Sequence, residues 1–216
     1  MLLIQYTLIF AAVLLLVALG GCFSEHSGII NIGLEGIMVI GALGGALSMN
    51  ILSPETPYFL VVLIVLFVSI FFGMIYSLLL AVASINFNAD QTLVGTAMNL
   101  LGTATATVVV RAINMSRNPD DVSSTVKYIA QKNALLIHMG KYEFNWFVVV
   151  AVISLVIAYF VLYKTKFGLR LIACGEHPQA ADSVGINVYK MRYAGVLISG
   201  ALGGLGGTAY ITAGVS

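Results

Sequence analysis

Six apolar segments, each of about 20 residues or more, restrict the fold of this 216-residue chain more than any other feature. They lie at 2–22, 28–52, 57–85, 91–111, 144–163 and 191–214. An apolar helix of this length crosses the hydrocarbon core of a bilayer, where only an internally hydrogen-bonded backbone is stable. Only 9% of the residues are charged, whereas a soluble domain carries about a quarter. The sequence therefore predicts an all-α, polytopic transmembrane protein in the lipid bilayer, with residues 1–216 forming one membrane domain.

Two polar loops separate the later segments, at 112–143 and at 164–190. One predicted span lies between them, so the loops are expected on opposite faces of the membrane. The positive-inside rule places Lys and Arg on the cytoplasmic side, but the two loops with their flanking residues carry five each. The cluster of Lys164, Lys166 and Arg170, together with fewer acidic residues, favours a cytoplasmic loop at 164–190. Charge alone leaves the orientation open.

Several classes of function are excluded by what the sequence lacks. The first Lys or Arg is Arg111, so a basic face for nucleic acid is not expected. The three histidines lie far apart without metal-ligand spacing, and Cys22 and Cys174 are predicted to be free thiols. Gly140-Lys141 is followed by Tyr and lacks the earlier glycine of a phosphate loop. No catalytic site, metal site or cofactor is predicted, and energy from ATP would have to come from another chain.

The first candidate site is the segment SGIINIGLEG at 27–36. Asn31 and Glu35 are four residues apart, so on a helix they share a face. Glycines at 28, 33 and 36 allow a break in the helix or a close backbone approach. Because an ionisable side chain is costly in lipid, Glu35 is expected to face a cavity or a partner. The alternative is a position at the membrane interface, where Glu35 only caps a helix end.

The second candidate is a polar stripe on the fourth predicted span. Its members are spaced four residues apart and share one slowly drifting face: Gln91, Gly95, Asn99, Thr103 and Thr107. Such side chains either line a wet passage or form hydrogen bonds to neighbouring helices. Both interpretations place this helix away from a purely lipid surround.

Small residues recur at four-residue spacing in two predicted spans. Gly41 and Gly45 form one set, and Ser199, Gly203 and Gly207 form the other. This spacing lets helix backbones approach closely, so helix packing is predicted at both places. The run GGLGG at 203–207 lacks the preceding strand and the following Lys-Ser/Thr of a nucleotide-binding loop.

The third candidate site is the loop at 175–187. Pro178 suits the first position of a helix and Gly185 its C-terminal stop. About two helical turns separate them, so a short helix is predicted between two membrane spans. Such a helix has the form of a docking element for a partner protein, although an ordinary structured loop remains an open alternative.

Two stretches resemble the permease subunits of bacterial ABC importers: SEHSGIINIGLEGIMVIGA at 24–42 and TKFGLRLIACGEHPQAADSVGINVYKMRYAGVLISGALGGLGG at 165–207. They are most similar to the ribose/galactose and branched-chain amino acid permease superfamily, and within it to nucleoside-uptake permeases. The similarity covers nearly the whole chain and is least distinctive at 112–143. Relatives continue with further spans, and this chain ends without a polar tail, so a C-terminally truncated sequence is expected.

The resemblance implies a subunit that is not itself an enzyme, in the bacterial cytoplasmic membrane. The loop at 164–190 would be cytoplasmic, the loop at 112–143 extracytoplasmic, and the N-terminus outside. Expected partners are a cytoplasmic ATP-binding subunit, a second permease subunit and an extracytoplasmic substrate-binding lipoprotein. The expected coupling residues are Gly175, Glu176, Ala180, Ala181, Gly185, Ile186 and Asn187. The expected pathway residues are Asn31, Gly33, Glu35, Gln91 and Asn99.

A nucleoside is the first expectation for the transported solute, with a simple sugar or a branched-chain amino acid as the alternative. Two other classes stay open at this stage. An ion-coupled secondary transporter would require inverted repeats, of which the sequence shows no convincing example. A membrane scaffold without transport activity would not need the polar stripe at 91–107.

Overall fold

The computed structural model describes residues 2–53, 55–126, 135–139 and 142–214. The first four helices are α1 (Leu2–His26), α2 (Leu34–Ile51), α3 (Tyr58–Ala81, continued by a π-helical turn at Val82–Asn86) and α4 (Gln91–Arg117). The later ones are α5 (Trp146–Lys164), α6 (Lys166–Glu176), α7 (Pro178–Ser183) and α8 (Val188–Gly214). Six of these, α1 to α5 and α8, are long and apolar enough to cross a membrane, which confirms the predicted all-α class.

A β hairpin was not predicted. Strands β1 (Leu136–Met139) and β2 (Tyr142–Asn145) pair antiparallel within and just after the loop at 112–143. Asn145 then begins α5, because its side-chain oxygen accepts a hydrogen bond from Phe147 N at 3.0 Å.

Helix α8 lies at the centre of the bundle and packs against α1, α2 and α3. Its small residues bring backbones into contact, as a stripe of small side chains does in membrane helices. A Cβ added to Gly41 would collide with the backbone of Gly204, and one added to Gly207 would collide with the carbonyl of Met38. The remaining members of the two predicted packing sets also lie on α8 contacts: Gly45 against Thr208, Gly203 against Ile37, and Ser199 hydrogen-bonded to Asn31.

The second predicted span is shorter than expected, and this corrects one prediction. Residues 27–33 are not helical, and α2 begins only at Leu34. Asn31 and Glu35 therefore do not share a helix face. The break follows from the end of α1, where Gly28 has a φ of +84° and Ser24 Oγ donates to Ile29 O at 2.7 Å. We call residues 27–33 the entry segment.

Other boundaries moved by a few residues. Helix α1 extends to His26 instead of 22, and α4 extends to Arg117 instead of 111. Within the loop predicted at 164–190, residues Lys166–Glu176 form helix α6, which local signals did not indicate.

The spans alternate in direction, so the connections gather at two faces. The proximal face holds the entry segment, the turn at 87–90 and the loop at 165–187; there Tyr193 Oη donates to Asn86 Oδ1 at 3.1 Å. The distal face holds residues 55–57, 118–126 and 142–145; there Arg117 donates to Asn50 Oδ1 at 2.8 Å. The two predicted loops thus lie at opposite ends of the bundle.

Candidate functional site

A cavity of about 540 Å³ lies between α2, α4, α8 and the chain that follows α4. This volume falls in the usual range for small-molecule sites, about 300–1,000 Å³. Among the described residues, Glu35 is the one charged residue that lines the cavity, and Ser124, Thr125 and Tyr210 are the other polar ones. The remaining lining residues are small or apolar: Met38, Val39, Ala42, Leu43, Ala46, Ala106, Val110, Val126, Gly207 and Ile211.

The cavity is closed toward the proximal face because α2 and α4 touch there. A Cβ on Gly36 would lie 2.5 Å from Met98 O, and one on Gly95 would lie 2.8 Å from Gly33 N. Such backbone contact leaves no room for a solute. One turn beyond Gly102, Ala106 and Val110 of α4 line the cavity together with Leu43 and Ala46 of α2.

Polar side chains of α4 hold the entry segment in place. Gln91 Oε1 accepts a hydrogen bond from Ile30 N at 2.7 Å. Asn99 Oδ1 accepts from Gly36 N at 2.8 Å, and Asn99 Nδ2 donates to Ile32 O at 3.1 Å. Asn99 thereby caps the N-terminus of α2 from another helix, since Gly33 offers no side chain for this purpose.

The distal half of the polar stripe has a different role. Thr103 Oγ1 donates to Leu100 O at 3.0 Å, and Thr107 Oγ1 donates to Thr103 O at 2.8 Å, both within α4. The sequence left two interpretations of the stripe open: lining a wet passage, or hydrogen bonding to neighbouring segments. In this structure Gln91 and Asn99 form hydrogen bonds to a neighbouring segment. Neither of them borders the cavity.

Asn31 connects the entry segment to α8. It is 8% exposed, and its Nδ2 donates to Ser199 Oγ at 2.9 Å. Its Oδ1 has no hydrogen-bond partner among the described residues. Among the five expected pathway residues, only Glu35 lines the cavity, whereas Asn31, Gly33, Gln91 and Asn99 lie at its closed proximal end.

Glu35 lies in the first turn of α2 with an exposed side chain. Within the described part of the chain, no side-chain hydrogen bond or ion pair of Glu35 is found. Its proximity to a helix N-terminus is electrostatically favourable. It does not cap α2, because the Gly36 N–H is taken by Asn99. An unpaired carboxylate beside apolar walls requires water or a ligand with hydrogen-bond donors.

The predicted short helix is present as α7, with Pro178 in its first turn. The chain leaves it at Gly185, which has a φ of +82°. Ala180 is exposed and Ala181 is buried at 4% exposure. The other expected coupling residues lie at the end of α6 (Gly175, Glu176) and in the turn before α8 (Ile186, Asn187), where Asn187 Oδ1 accepts from Lys190 N at 2.9 Å.

Much of the cavity wall gave no signal in the sequence. Met38, Ala42, Ala106 and Val110 are apolar residues in apolar helices, so nothing in the pattern distinguishes them from lipid-facing neighbours. Among the described residues, no group of three or more His, Cys, Asp or Glu side chains is placed to hold a metal ion.

The fold and the cavity define a multi-pass membrane protein with a solute-sized chamber between its helices. Residues 3–216 match the family described as branched-chain amino acid transport system / permease component. The chain belongs to this family and is a multi-pass integral protein of the bacterial cell membrane, and it spans slightly less than two thirds of the length of the first curated relatives it matches. The resemblance found in the sequence is thereby confirmed.

Curated relatives include ABC transporter permeases from bacteria and an archaeon. The guanosine ABC transporter permease of Bacillus subtilis is 41% identical over 213 residues, which is 94% of this chain and 65% of the relative. The nucleoside ABC transporter permease protein NupC of Lactococcus lactis is 38% identical, over 95% of this chain and 66% of the relative. A putative glucose ABC transporter permease of Haloferax volcanii is 31% identical, over 91% and 58%. No solved structure matches significantly.

Proposed function

We propose that this chain is the membrane-embedded subunit of an ABC importer that moves a nucleoside across the cytoplasmic membrane. The observation that carries the proposal is the cavity between α2, α4 and α8, in which the carboxylate of Glu35, without a partner among the described residues, faces mainly apolar walls. Two relatives named for guanosine or nucleoside transport, at 41% and 38% identity, support the choice of solute.

The chemistry of the lining favours a nucleoside over the other solutes. A planar base has two apolar faces that suit walls such as Val39, Leu43 and Val110, and its ribose supplies donors for a carboxylate. A hexose carries hydroxyls on most of its carbons, and each one buried without a partner costs about 1–3 kcal/mol. A branched-chain amino acid would pair its ammonium group with Glu35, but its own carboxylate would meet no cationic side chain among the described lining residues.

We further propose that the proximal face is cytoplasmic and that a separate ATP-binding subunit docks there on α7. The chain lacks a phosphate-loop motif, so ATP would be hydrolysed elsewhere. Apolar side chains stand exposed around α7: Leu169 at 62%, Val184 at 74% and Tyr189 at 64%. An exposed apolar surface of this kind is typical of a protein contact. The distal face, with the loop at 112–143, would then receive solute from an extracytoplasmic binding lipoprotein.

A second permease subunit is proposed to cover α4. The exposed residues of α5 are large and apolar, including Val152, Ile157 and Phe160, as expected for a helix in lipid. The exposed residues of α4 include Leu93, Leu100 and Val108, but also a set of small and hydroxyl side chains that the exposed residues of α5 lack: Thr96, Thr103, Thr105, Thr107 and several alanines. Small and hydroxyl side chains of this kind are typical of helix–helix contacts in membranes.

The test is purification of the tagged protein from the membranes of its host, followed by transport assays with labelled guanosine. We expect an ATP-binding subunit and a substrate-binding lipoprotein to copurify. We also expect ATP-dependent uptake that unlabelled nucleosides inhibit and that glucose and leucine do not. Uptake driven by an ion gradient, with no ATP-binding partner, would contradict the proposal and favour a secondary transporter.

A further inference from the structure

The entry segment touches the end of α6 without any intervening side chain. A Cβ on Gly175 would lie 2.5 Å from His26 O and 3.1 Å from Gly28 N. A Cβ on Gly28 would lie 3.2 Å from the Cα of Gly175. Two backbones at this separation are in hard van der Waals contact, so displacement of one displaces the other.

The entry segment is also held on the side of α8, which follows the loop at 165–187; we call this loop the coupling loop. Ser27 packs against Gly195, where an added Cβ would lie 2.5 Å from the Ser27 Cβ. The terminal turn of α1 is closed by hydrogen bonds from Gly28 N to Glu25 O at 2.9 Å and from Ile29 N to Ser24 O at 3.2 Å. The start of the entry segment is therefore a compact unit, in contact with the end of α6 on one side and with the second turn of α8 on the other.

The far end of the entry segment is joined to the closed end of the cavity. Ile30 and Ile32 bond to Gln91 and Asn99, and Asn99 also bonds to Gly36, next to Glu35. These bonds lie beside the glycine contacts that keep α2 against α4. A shift of the entry segment would strain these hydrogen bonds first, because no other described side chain of α4 is hydrogen-bonded to the entry segment.

We infer that the entry segment is the gate at the proximal end of the cavity, and that the Gly28–Gly175 contact transmits movement of the coupling loop to it. The inference rests on the proposed function for the source of that movement, the ATP-binding subunit at α7. When the loop moves, Gly175 displaces Gly28 and the entry segment withdraws from Gln91 and Asn99. Helix α2 then separates from α4, and the cavity opens toward the proximal face.

Two substitutions at opposite ends of this route have opposite expected effects. Gly175→Ala wedges a methyl group against His26 O and should uncouple the loop from the gate. In the purified complex in liposomes, we expect ATP hydrolysis to persist while ATP-driven uptake falls about tenfold or more. Gln91→Leu removes the bond to Ile30 N and should loosen the gate, so that nucleoside flux without ATP rises severalfold.

Gly21→Ala is the matched control, because its Cβ would meet only Leu34 Cδ1 at 3.6 Å, an ordinary contact. Normal ATP-driven uptake by Gly175→Ala, or no ATP-independent flux through Gln91→Leu, would overturn the inference. Should Gly175→Ala fail to fold, the flux through Gln91→Leu still decides, since it needs no ATP-binding subunit. Absence of ATP-dependent uptake by the unmodified complex would instead contradict the proposed function, and the flux measurement would still test the gate.

Discussion

Glu35 and its neighbour Gly36 occupy adjacent positions but have separate tasks. The Gly36 N–H is bonded to Asn99, which fixes the start of α2 and leaves the carboxylate of Glu35 free in the cavity. A carboxylate in an apolar surround is costly unless water or a ligand reaches it. We therefore propose that water or solute reaches Glu35 in the cavity and that its carboxylate discriminates among solutes.

Glu35→Gln keeps the size of the side chain and removes its charge. A hydrogen bond to a charged group contributes about 1.5–3 kcal/mol, so nucleoside uptake should fall roughly tenfold to a hundredfold. Inhibition by nucleoside monophosphates should increase, because their charge is no longer repelled. Uptake assays with both competitors measure these effects. Glu25→Gln is the control, since Glu25 is exposed at the end of α1 and does not line the cavity. Equal uptake by the two variants would show that Glu35 has only a structural role.

At the scale of elements, the entry segment shows where sequence reasoning reached its limit. Glycines at 28, 33 and 36 correctly indicated a possible break or close approach. The extent of the break depends on Gln91 and Asn99, which satisfy backbone groups 61 to 67 residues away in the chain. Local pattern cannot reveal such pairings, so Asn31 and Glu35 were placed wrongly on one helix face. The apolar cavity wall could not be predicted either, because its residues do not differ in sequence from lipid-facing residues of the same helices.

Helix α7 was predictable because its signals are local. Pro178 begins it, and Gly185 with a φ of +82° ends it. The difference between its two alanines was not predictable, since the burial of Ala181 depends on how the helix folds back on the loop. Ile186 N donates to Ala181 O at 3.1 Å, which holds Ala181 inside the turn.

Ala180→Arg therefore tests the docking surface, whereas Ala181→Arg would disrupt the loop itself. Ala180 is exposed, so a long charged side chain there fits the free protein but obstructs a close partner. We expect normal membrane insertion and at least about a tenfold loss of copurifying ATP-binding subunit. Glu55→Arg, at an exposed position in the distal turn between α2 and α3, should retain the subunit. Equal recovery of the subunit with both variants would remove the assignment of α7 as the docking helix.

For the whole molecule, one arrangement connects three features that are distant in sequence. The entry segment, the coupling loop and the closed end of the cavity all lie at the proximal face. Lys and Arg counts around the two polar loops are equal at five each, so charge does not orient the bundle. Because the two loops lie at opposite ends of the helices, locating a single residue orients them all.

Cysteine labelling locates that residue. Gln179 on α7 and Asp120 beyond α4 are both exposed, one on each face. In a Cys22→Ser background, a membrane-impermeant maleimide should label Asp120→Cys in intact cells and Gln179→Cys only after permeabilisation. Native Cys174 gives little background, because it is fully buried and burial raises the pKa of its thiol, an effect that Arg192 partly opposes. The thiol thus stays protonated and unreactive near neutral pH. Labelling of Gln179→Cys in intact cells would place α7 outside, where no ATP-binding subunit can reach it.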